Sequence, residues 1–244
     1  MPSRGRYRIG LMVPPSNTTM EDDFARWAPA SVGVHVNRLY LPEADHLTGL
    51  QAMGDHVSET TRLLTKAPMD VLAFGCTSGS FLNGPTYDEH ITTRIEAASD
   101  GVPAIATARA VAEALQALGV HKIAACSPYM KLVNERLIEF YSKAGFEIVG
   151  FDSVDPLNPP NPNDLDGNTA FKLAMNADHS TAEAIFISCT AFRGAAEVIE
   201  TLEEAAGKPV VTSNQATFWA CMRKMGLNES IPKAGALLRK NFNP

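Results

Sequence analysis

Two cysteines stand at matching places in two copies of one sequence pattern. An apolar run stops at Cys76 and another stops at Cys189, and a threonine follows each of them, Thr77 and Thr190. Apolar runs of this length, bounded by turn-forming residues, are typical of buried parallel strands. In open α/β sheets, ligands bind where such strands end. The sequence therefore predicts that both thiols lie at a ligand-binding edge.

Two thiols that face each other across a small substrate can act on its opposite sides. A thiolate is both a nucleophile and a base, and neighbouring donors set its pKa. One thiol can remove a proton from an acidic carbon while the other delivers a proton to the opposite face, which inverts a stereocentre. Alternatively, one thiolate can add to an activated double bond while the other supplies a proton. Neither route needs a metal or an organic cofactor, so we expect none.

Small polar residues beside the thiols are candidates for substrate binding. Thr77, Ser78 and Thr190 bring hydroxyl and backbone N–H groups that can hold a carboxylate and a developing oxyanion. Ser16 and Asn17 follow the first predicted strand and are candidates for a second carboxylate. The same run, from Ser16 onward, also suits the N-cap of a helix, so both interpretations stay open.

The other two cysteines have a simpler interpretation. Cys126 lies inside an apolar predicted strand, and Cys221 lies in the middle of a predicted helix. Buried cysteine usually behaves as a small hydrophobic residue. We interpret both as packing residues.

Alternating strands and helices must position the two thiols. The patterns predict strands at 8–13, 34–41, 70–76, 102–107, 121–127, 146–151, 183–189 and 208–212. They predict helices at 21–27, 48–65, 87–98, 108–118, 132–144, 169–176, 195–206 and 216–225.

The second half of this series repeats the first. The segment 101–107 corresponds to 207–213, and each leads into a helix closed by a glycine, Gly119 or Gly226. The fold class is therefore α/β, with two pseudo-symmetric halves, each a mostly parallel sheet flanked by helices. We expect an N-terminal half, 1–118, with Cys76 and a C-terminal half, 119–244, with Cys189. The active site is expected in the cleft between them, with the tail packing back on the first half.

Composition excludes several functional classes. The 244 residues carry a formal net charge of -6, which gives no basic face for nucleic acid. No apolar run is long enough for a membrane span, and the N-terminus lacks the apolar core of a signal peptide, so we expect a cytoplasmic protein. The four cysteines form no Cys-x-x-Cys pair and the histidines do not join them at ligand spacing, so we expect no metal site. Nucleotide-binding glycine motifs are absent as well.

Several motifs together carry a family resemblance along essentially the whole chain. The chain resembles the aspartate/glutamate racemase superfamily, and within it the branch of maleate cis-trans isomerases and arylmalonate decarboxylases. The motifs that carry the resemblance are 15–21, 75–77, 127–131, 187–189 and 231–238. The resemblance implies Cys76 as the nucleophile that attacks a double bond, Cys189 as the proton donor, Asn17 as a carboxylate ligand and Tyr129 as a substrate contact. The decarboxylases keep only the second cysteine, so Cys76 argues against that activity.

A long polar loop, 158–168, is expected to act as a lid over the cleft. The isomerases use an asparagine from the corresponding loop. This chain offers Asn158, Asn161 and Asn163, and Asn158 is our choice.

These observations favour a cofactor-independent isomerase of a small carboxylate, with maleate to fumarate as the leading case. The hydroxyl-rich residues after each cysteine are more like racemase relatives, including ones associated with ectoine breakdown. A racemase of an amino acid or related acid, with the cysteines as opposing bases, is therefore the alternative. A carboxylate-binding protein without turnover is the alternative from another class. The resemblance also implies a homo-oligomer, a dimer or a tetramer.

Overall fold

The structure is a computed structural model that describes residues 6–41 and 46–239. The strands are β1 (Tyr7–Val13), β2 (Val32–Arg38), β3 (Val71–Phe74), β4 (Ala104–Ala106), β5 (Lys122–Ser127), β6 (Glu147–Ser153), β7 (Ala184–Ile187) and β8 (Val210–Thr212). The helices are α1 (Thr19–Trp27), α2 (His46–Ala52), α3 (Val57–Leu64), α4 (Thr77–Phe81), α5 (Tyr87–Ala98), α6 (Thr107–Ala117), α7 (Lys131–Lys143), α8 (Gly167–Ala177), α9 (Ile199–Ala206), α10 (Ser213–Lys224) and α11 (Gly235–Arg239).

The strands form two four-stranded sheets with the same order. The first runs β2-β1-β3-β4 and the second β6-β5-β7-β8, and all pairs are parallel. Adding four to each strand number of the first sheet gives the second. The predicted fold class, two pseudo-symmetric α/β halves, is confirmed. The predicted domain boundary at 118/119 stays a prediction, although it falls between the last strand of one sheet and the first of the other.

The strands that lead to the cysteines are the central, fully covered ones. Every residue of β3 and of β7 is buried. Strands covered on both faces need apolar side chains at every position, which is why these two runs do not alternate. The cysteines are placed by the most firmly packed backbone of each half.

Helices α6 and α10 pack against each other and join the halves. Thr217 Oγ1 on α10 donates to Thr107 Oγ1 on α6 at 3.1 Å. The next residue of α10, Phe218, meets Phe24 of α1 edge to face, with ring centroids 5.2 Å apart. Both cysteines' strand ends therefore open onto one cleft.

Two predicted elements differ clearly from the observed ones. The helix predicted over 48–65 is interrupted by a 3-10 turn, Met53–His56. Gly54 lies in that turn because a Cβ there would come within 2.5 Å of the Tyr87 hydroxyl, so close packing of α5 shapes the break. Strand β2 covers Val32–Arg38 rather than 34–41, because its partner β1 ends at Val13, whose carbonyl accepts the last bond of the ladder from Leu39 N.

The described part of the tail packs on the second half instead of the first. Helix α11 contacts α9, α10 and β8. Glu203 accepts the backbone N–H of Ala236 at 2.8 Å, and Gln215 Nε2 donates to the carbonyl of Ala234 at 2.6 Å. These bonds hold α11 against α9 and α10. Within the described ranges, no helix combines the length and the apolar character needed to cross a membrane.

Candidate active site

A cavity of about 500 Å³ lies in the cleft between the two halves. Eight of the nine predicted site residues line it: Ser16, Asn17, Cys76, Thr77, Ser78, Tyr129, Cys189 and Thr190. Asn158 is exposed and does not line the cavity. Asn161 and Asn163 of the same loop do, because the 3-10 turn at Pro162–Asp164 directs that part of the loop toward the cleft.

Cys76 follows β3 and is the N-cap of α4. Its Sγ accepts the backbone N–H of Gly79 at 3.3 Å and lies 3.7 Å from the Ser78 hydroxyl. Burial raises the pKa of the Cys76 thiol from its ordinary value of 9.0, while these two donors act in the opposite direction. The Gly79 N–H and the Ser78 hydroxyl can therefore stabilise a thiolate on Cys76, at the positive end of a short helix.

Helix α4 was not predicted, since the residues after Cys76 read as a polar loop. Its first turn is closed by the cysteine itself: the thiol caps the Gly79 N–H, and the Ser80 hydroxyl donates to the Cys76 carbonyl at 2.6 Å. Serine and glycine alone favour turns over helices. The helix forms because its cap and its burial supply what the sequence lacks.

Cys189 has an unusual backbone. Its φ is 101°, in a region that residues with a Cβ seldom adopt. Its N–H donates to Ser213 Oγ at 3.1 Å, and the backbone N–H groups of Ala191 and Phe192 act to lower the pKa of its thiol. The thiol lies in the cavity wall.

The two thiols differ in exposure and in acidity. Cys76 is buried, whereas Cys189 is partly exposed. Burial and, to a smaller extent, a charge on Cys76 raise the pKa of Cys189 to about 12, so Cys189 stays a thiol at neutral pH. Because an ionised Cys76 disfavours ionisation of Cys189, the pair holds one negative charge at a time. The arrangement supplies one nucleophile and one acid.

Ser213, at the start of α10, connects the two thiol loops and was missed from the sequence. Its Oγ accepts the Thr77 hydroxyl at 2.9 Å as well as the Cys189 N–H. The available signal was the repeat itself, in which 207–213 corresponds to 101–107 and a hydroxyl residue, Thr107 or Ser213, ends each copy.

Tyr129 faces both thiols from the end of β5. Its hydroxyl accepts from the Ser188 hydroxyl at 3.2 Å, and Thr77 and Cys189 line the same cavity. Burial, and then the charges of Cys189 and Cys76, raise the pKa of Tyr129 well above 10.0. The phenol is therefore neutral and can donate a hydrogen bond to a substrate oxygen.

Asn17 caps a helix and also lies in the cavity wall. Its Oδ1 accepts the backbone N–H groups of Thr19 and Met20 at 3.0 and 3.1 Å, which caps α1. Its Nδ2 donates to Thr190 Oγ1 at 2.9 Å and lies in the cavity wall. An amide nitrogen has a second hydrogen, which leaves one donor for a ligand.

The 158–168 loop reaches from the second half to the first. Asn163 Nδ2 donates to the carbonyl of Ser16 at 3.1 Å, and its Oδ1 accepts from Thr18 N at 3.4 Å. The loop therefore closes one side of the cleft in this structure. Its action as a lid stays a prediction.

The cavity wall, as far as the structure describes it, contains no lysine, arginine or histidine. Substrate oxygens must then be held by hydroxyl, amide and backbone N–H donors. The described residues also contain no cluster of three or more side chains suited to a metal ion. Cys126 and Cys221 lie in the core, fully buried, as expected for packing residues.

Two unlike thiols in a cleft between duplicated α/β halves define a thiol-based acid–base and nucleophilic site. Residues 9–238 match the family model described as arylmalonate decarboxylase, and the chain belongs to this family. It is similar to maleate isomerase of Geobacillus stearothermophilus (27% identical, covering 97% of this chain and 98% of that protein). It is also similar to arylmalonate decarboxylase of Bordetella bronchiseptica (29% identical, 89% and 90% covered).

The fold has a close counterpart among solved structures. The maleate cis-trans isomerase of Nocardia farcinica, bound to TRIS, superposes with a TM-score of 0.84 at 25% identity, over 96% of this chain and 98% of that one. The predicted resemblance to the branch of maleate isomerases and arylmalonate decarboxylases is confirmed.

Proposed function

We propose that this chain is an isomerase that converts maleate to fumarate without a cofactor. One observation carries the proposal: a capped, buried Cys76 and a less acidic Cys189 share one cavity, so that a nucleophile and a proton donor meet the same small molecule. The similarity to maleate isomerases along nearly the whole chain supports it.

The reaction follows from these two thiols. The Cys76 thiolate adds to C2 of maleate, and the electron pair of the double bond moves to C3, where the adjacent carboxylate shares it. Cys189 gives its proton to C3, which leaves a succinyl thioether on Cys76 and a thiolate on Cys189. The single C2–C3 bond rotates. Cys189 then removes a proton from C3, the double bond re-forms, the C–S bond breaks, and fumarate and the Cys76 thiolate result.

We assign the carboxylate groups to neutral donors on both sides of the cleft. Thr77, Ser78 and Tyr129 surround the carboxylate next to C3, where negative charge develops. The second Nδ2 hydrogen of Asn17 and the backbone N–H of Thr190 receive the other carboxylate, because the Thr190 hydroxyl donates to the Gly75 carbonyl. Fixed donors are suited to this task because they gain most when the charge appears in the transition state.

A racemase is the second candidate, favoured by a specific feature. Each thiol follows an equivalent strand of a duplicated half and has a hydroxyl residue next to it, Thr77 or Thr190. Opposed thiols in such related positions suit removal of a proton on one face and delivery on the other.

A cytoplasmic location and a homo-oligomer, dimer or tetramer, stay predictions. Light scattering at micromolar concentration tests the oligomeric state.

The deciding experiment is proton NMR of the purified protein with maleate in deuterium oxide. We expect fumarate to appear, and to be lost in Cys76→Ser, whose hydroxyl keeps the helix cap but is a far weaker nucleophile. Cys221→Ala, a buried cysteine outside the site, is the matched control and is expected to retain turnover. If the wild type forms no fumarate but deuterium enters Cα of single-enantiomer aspartate or glutamate, the proposed function becomes that of a racemase.

A further inference from the structure

A buried carboxyl and a buried amide lie behind the loop that carries Cys189. Asp23 of α1 and Asn214 of α10 are 2% and 3% exposed. Asn214 Nδ2 donates to Asp23 Oδ2 at 2.7 Å and to the carbonyl oxygen of Thr190 at 3.0 Å. Thr190 directly follows Cys189. One side chain, Asn214, therefore connects Asp23 to the thiol loop.

The hydrogen bonding of Asn214 is incomplete. Both Nδ2 hydrogens are used, but Oδ1 is buried and has no hydrogen-bond partner within the described ranges. A buried acceptor without a donor is costly. A carboxylate cannot donate a hydrogen bond, whereas a carboxylic acid can. A proton on Asp23 is thus the missing donor, on a group that already contacts the amide.

The surroundings of Asp23 favour that proton. Burial raises its pKa from the ordinary 3.8 to about 6, and the hydrogen bond from Asn214 acts in the opposite direction. Helix α10 presents the neutral Asn214 to it. The charged groups that act on Asp23 are Asp22 and Arg26 of its own helix and Glu197 of the 3-10 turn before α9. On β2, which also packs against α1, Arg38 pairs with Glu21.

The other thiol has no such support. Asn214 follows Ser213, and in the repeat its counterpart is Ala108, which follows Thr107 and carries no polar side chain. The buried carboxyl–amide contact is confined to the Cys189 side of the cleft. That side is also the one where the cysteine has a φ of 101° and no helix cap to hold it.

We propose that Asp23 is a positioning residue for Cys189. The protonated form of Asp23 pairs with Asn214 through two hydrogen bonds. Its O–H donates to Oδ1, and its other oxygen accepts from Nδ2. The remaining Nδ2 hydrogen then stays on the Thr190 carbonyl and fixes the loop. Ionisation removes the donor and places a negative charge against Oδ1, which loosens the loop. Only the effect on turnover rests on the proposed function.

Two variants separate the states of Asp23. Asp23→Asn keeps a donor and an acceptor but does not titrate, so it imitates the protonated acid at every pH. Asp23→Leu keeps the size and removes both bonds. A raised pKa means that wild-type stability from this group is complete below 3.8 and is lost as the pH rises through 6. In denaturant titrations from pH 4 to 8, we expect the free energy of unfolding of Asp23→Asn to increase relative to that of the wild type as the pH rises through 6.

Labelling reports the loop without any substrate. Each variant is treated with dithiodipyridine, which reacts at acidic pH, and the labelling of Cys189 is divided by that of Cys76 in the same sample. At pH 5 we expect the same ratio in wild type and Asp23→Asn. At pH 8 we expect the wild-type ratio to exceed that of Asp23→Asn several-fold, with Asp23→Leu high at both.

Turnover provides the third readout. We expect the kcat of Asp23→Asn, divided by that of the wild type, to rise several-fold from pH 5 to 8, with KM little changed. The proposal is overturned if the free energy of unfolding and the Cys189/Cys76 labelling ratio depend on pH in the same way in wild type and in Asp23→Asn. This comparison does not require Asp23→Leu to fold. A wild type that forms no fumarate overturns the proposed function instead, since stability and labelling still decide the pair.

Discussion

The two halves of this protein share a strand order and a cysteine position, yet they hold their thiols in different ways. In the first half, Cys76 has extended backbone, with φ -138° and ψ 110°, and caps helix α4. In the second half, Cys189 has a φ of 101°, and the chain after it forms turns before a short 3-10 helix. Duplication supplied the two positions, and the local backbone made one thiol better supported as an anion than the other.

The largest expected effect comes from exchanging each sulfur for oxygen. Cys76→Ser is expected to lower kcat/KM for maleate by at least about a thousandfold and to form no adduct, because the nucleophile is lost. Cys189→Ser is expected to lower it by about a hundredfold or more and to accumulate a maleate adduct on Cys76, because the proton donor is lost.

Intact-protein mass spectrometry followed by peptide mapping distinguishes the two variants. An adduct on position 189 in Cys76→Ser would reverse the roles assigned to the halves. Equal losses without any adduct would argue against addition chemistry altogether.

The pH dependence of turnover tests the difference in acidity. Burial raises the pKa of Cys76 above 9.0, so kcat/KM is expected to rise about tenfold per pH unit from pH 7 through pH 9. Cys189, with a pKa of about 12, stays protonated throughout, so no alkaline fall is expected in that range. A profile already flat from pH 7 would show that bound or free enzyme carries the Cys76 thiolate at neutral pH.

Ser213 provides a comparison through its counterpart in the repeat. Ser213→Ala removes the acceptor of both the Thr77 hydroxyl and the Cys189 N–H, and is expected to cost about 2 kcal/mol of stability and about tenfold in kcat. Thr107→Ala is the matched control: it removes the bond to the Phe74 carbonyl and the bond from the Thr217 hydroxyl, and Thr107 bonds neither cysteine. We expect a similar loss of stability with little loss of kcat, measured by denaturant titration and steady-state kinetics.

The smallest expected effect concerns backbone strain at Cys189. Cys189→Gly and Cys189→Ala both remove the thiol, but glycine adopts a φ of 101° without steric conflict. Cys189→Gly is therefore expected to be more stable than Cys189→Ala by about 1 kcal/mol. Equal melting temperatures of these two variants would mean that the loop relaxes when the side chain is shortened.

Much of the fold could be predicted because local pattern and burial agree. The apolar runs before Cys76 and Cys189 became β3 and β7, and the helix predicted over 87–98 became α5 with the same bounds. The repeat predicted two sheets of equal order. The prediction of one continuous helix over 48–65 was wrong because the Tyr87 hydroxyl packs against Gly54 and the helix is interrupted there. Helical periodicity does not report such a contact between distant segments.

The site could be predicted only in part, for the same reason. Residues next to a strand end, such as Thr77 and Thr190, line the cavity because the strand carries them there. Asn158, the asparagine chosen from the sequence, does not line the cavity. A 3-10 turn directs Asn161 and Asn163 of the same loop toward it instead. Asp23 and Ser213 gave no local signal, since each acts through a partner far away in the chain.

The sequence by itself determined the duplicated α/β architecture and the two thiols at matching strand ends, because hydrophobic runs and cysteine positions are local properties. Tertiary structure alone decided how each thiol is held. Cys76 gains its donors from a helix that only burial stabilises. Cys189 takes its strained backbone from a network that joins α1 and α10 to the loop. Hydrogen bonds between residues 24 to 191 positions apart hold the loop that carries Cys189, and no local pattern encodes them.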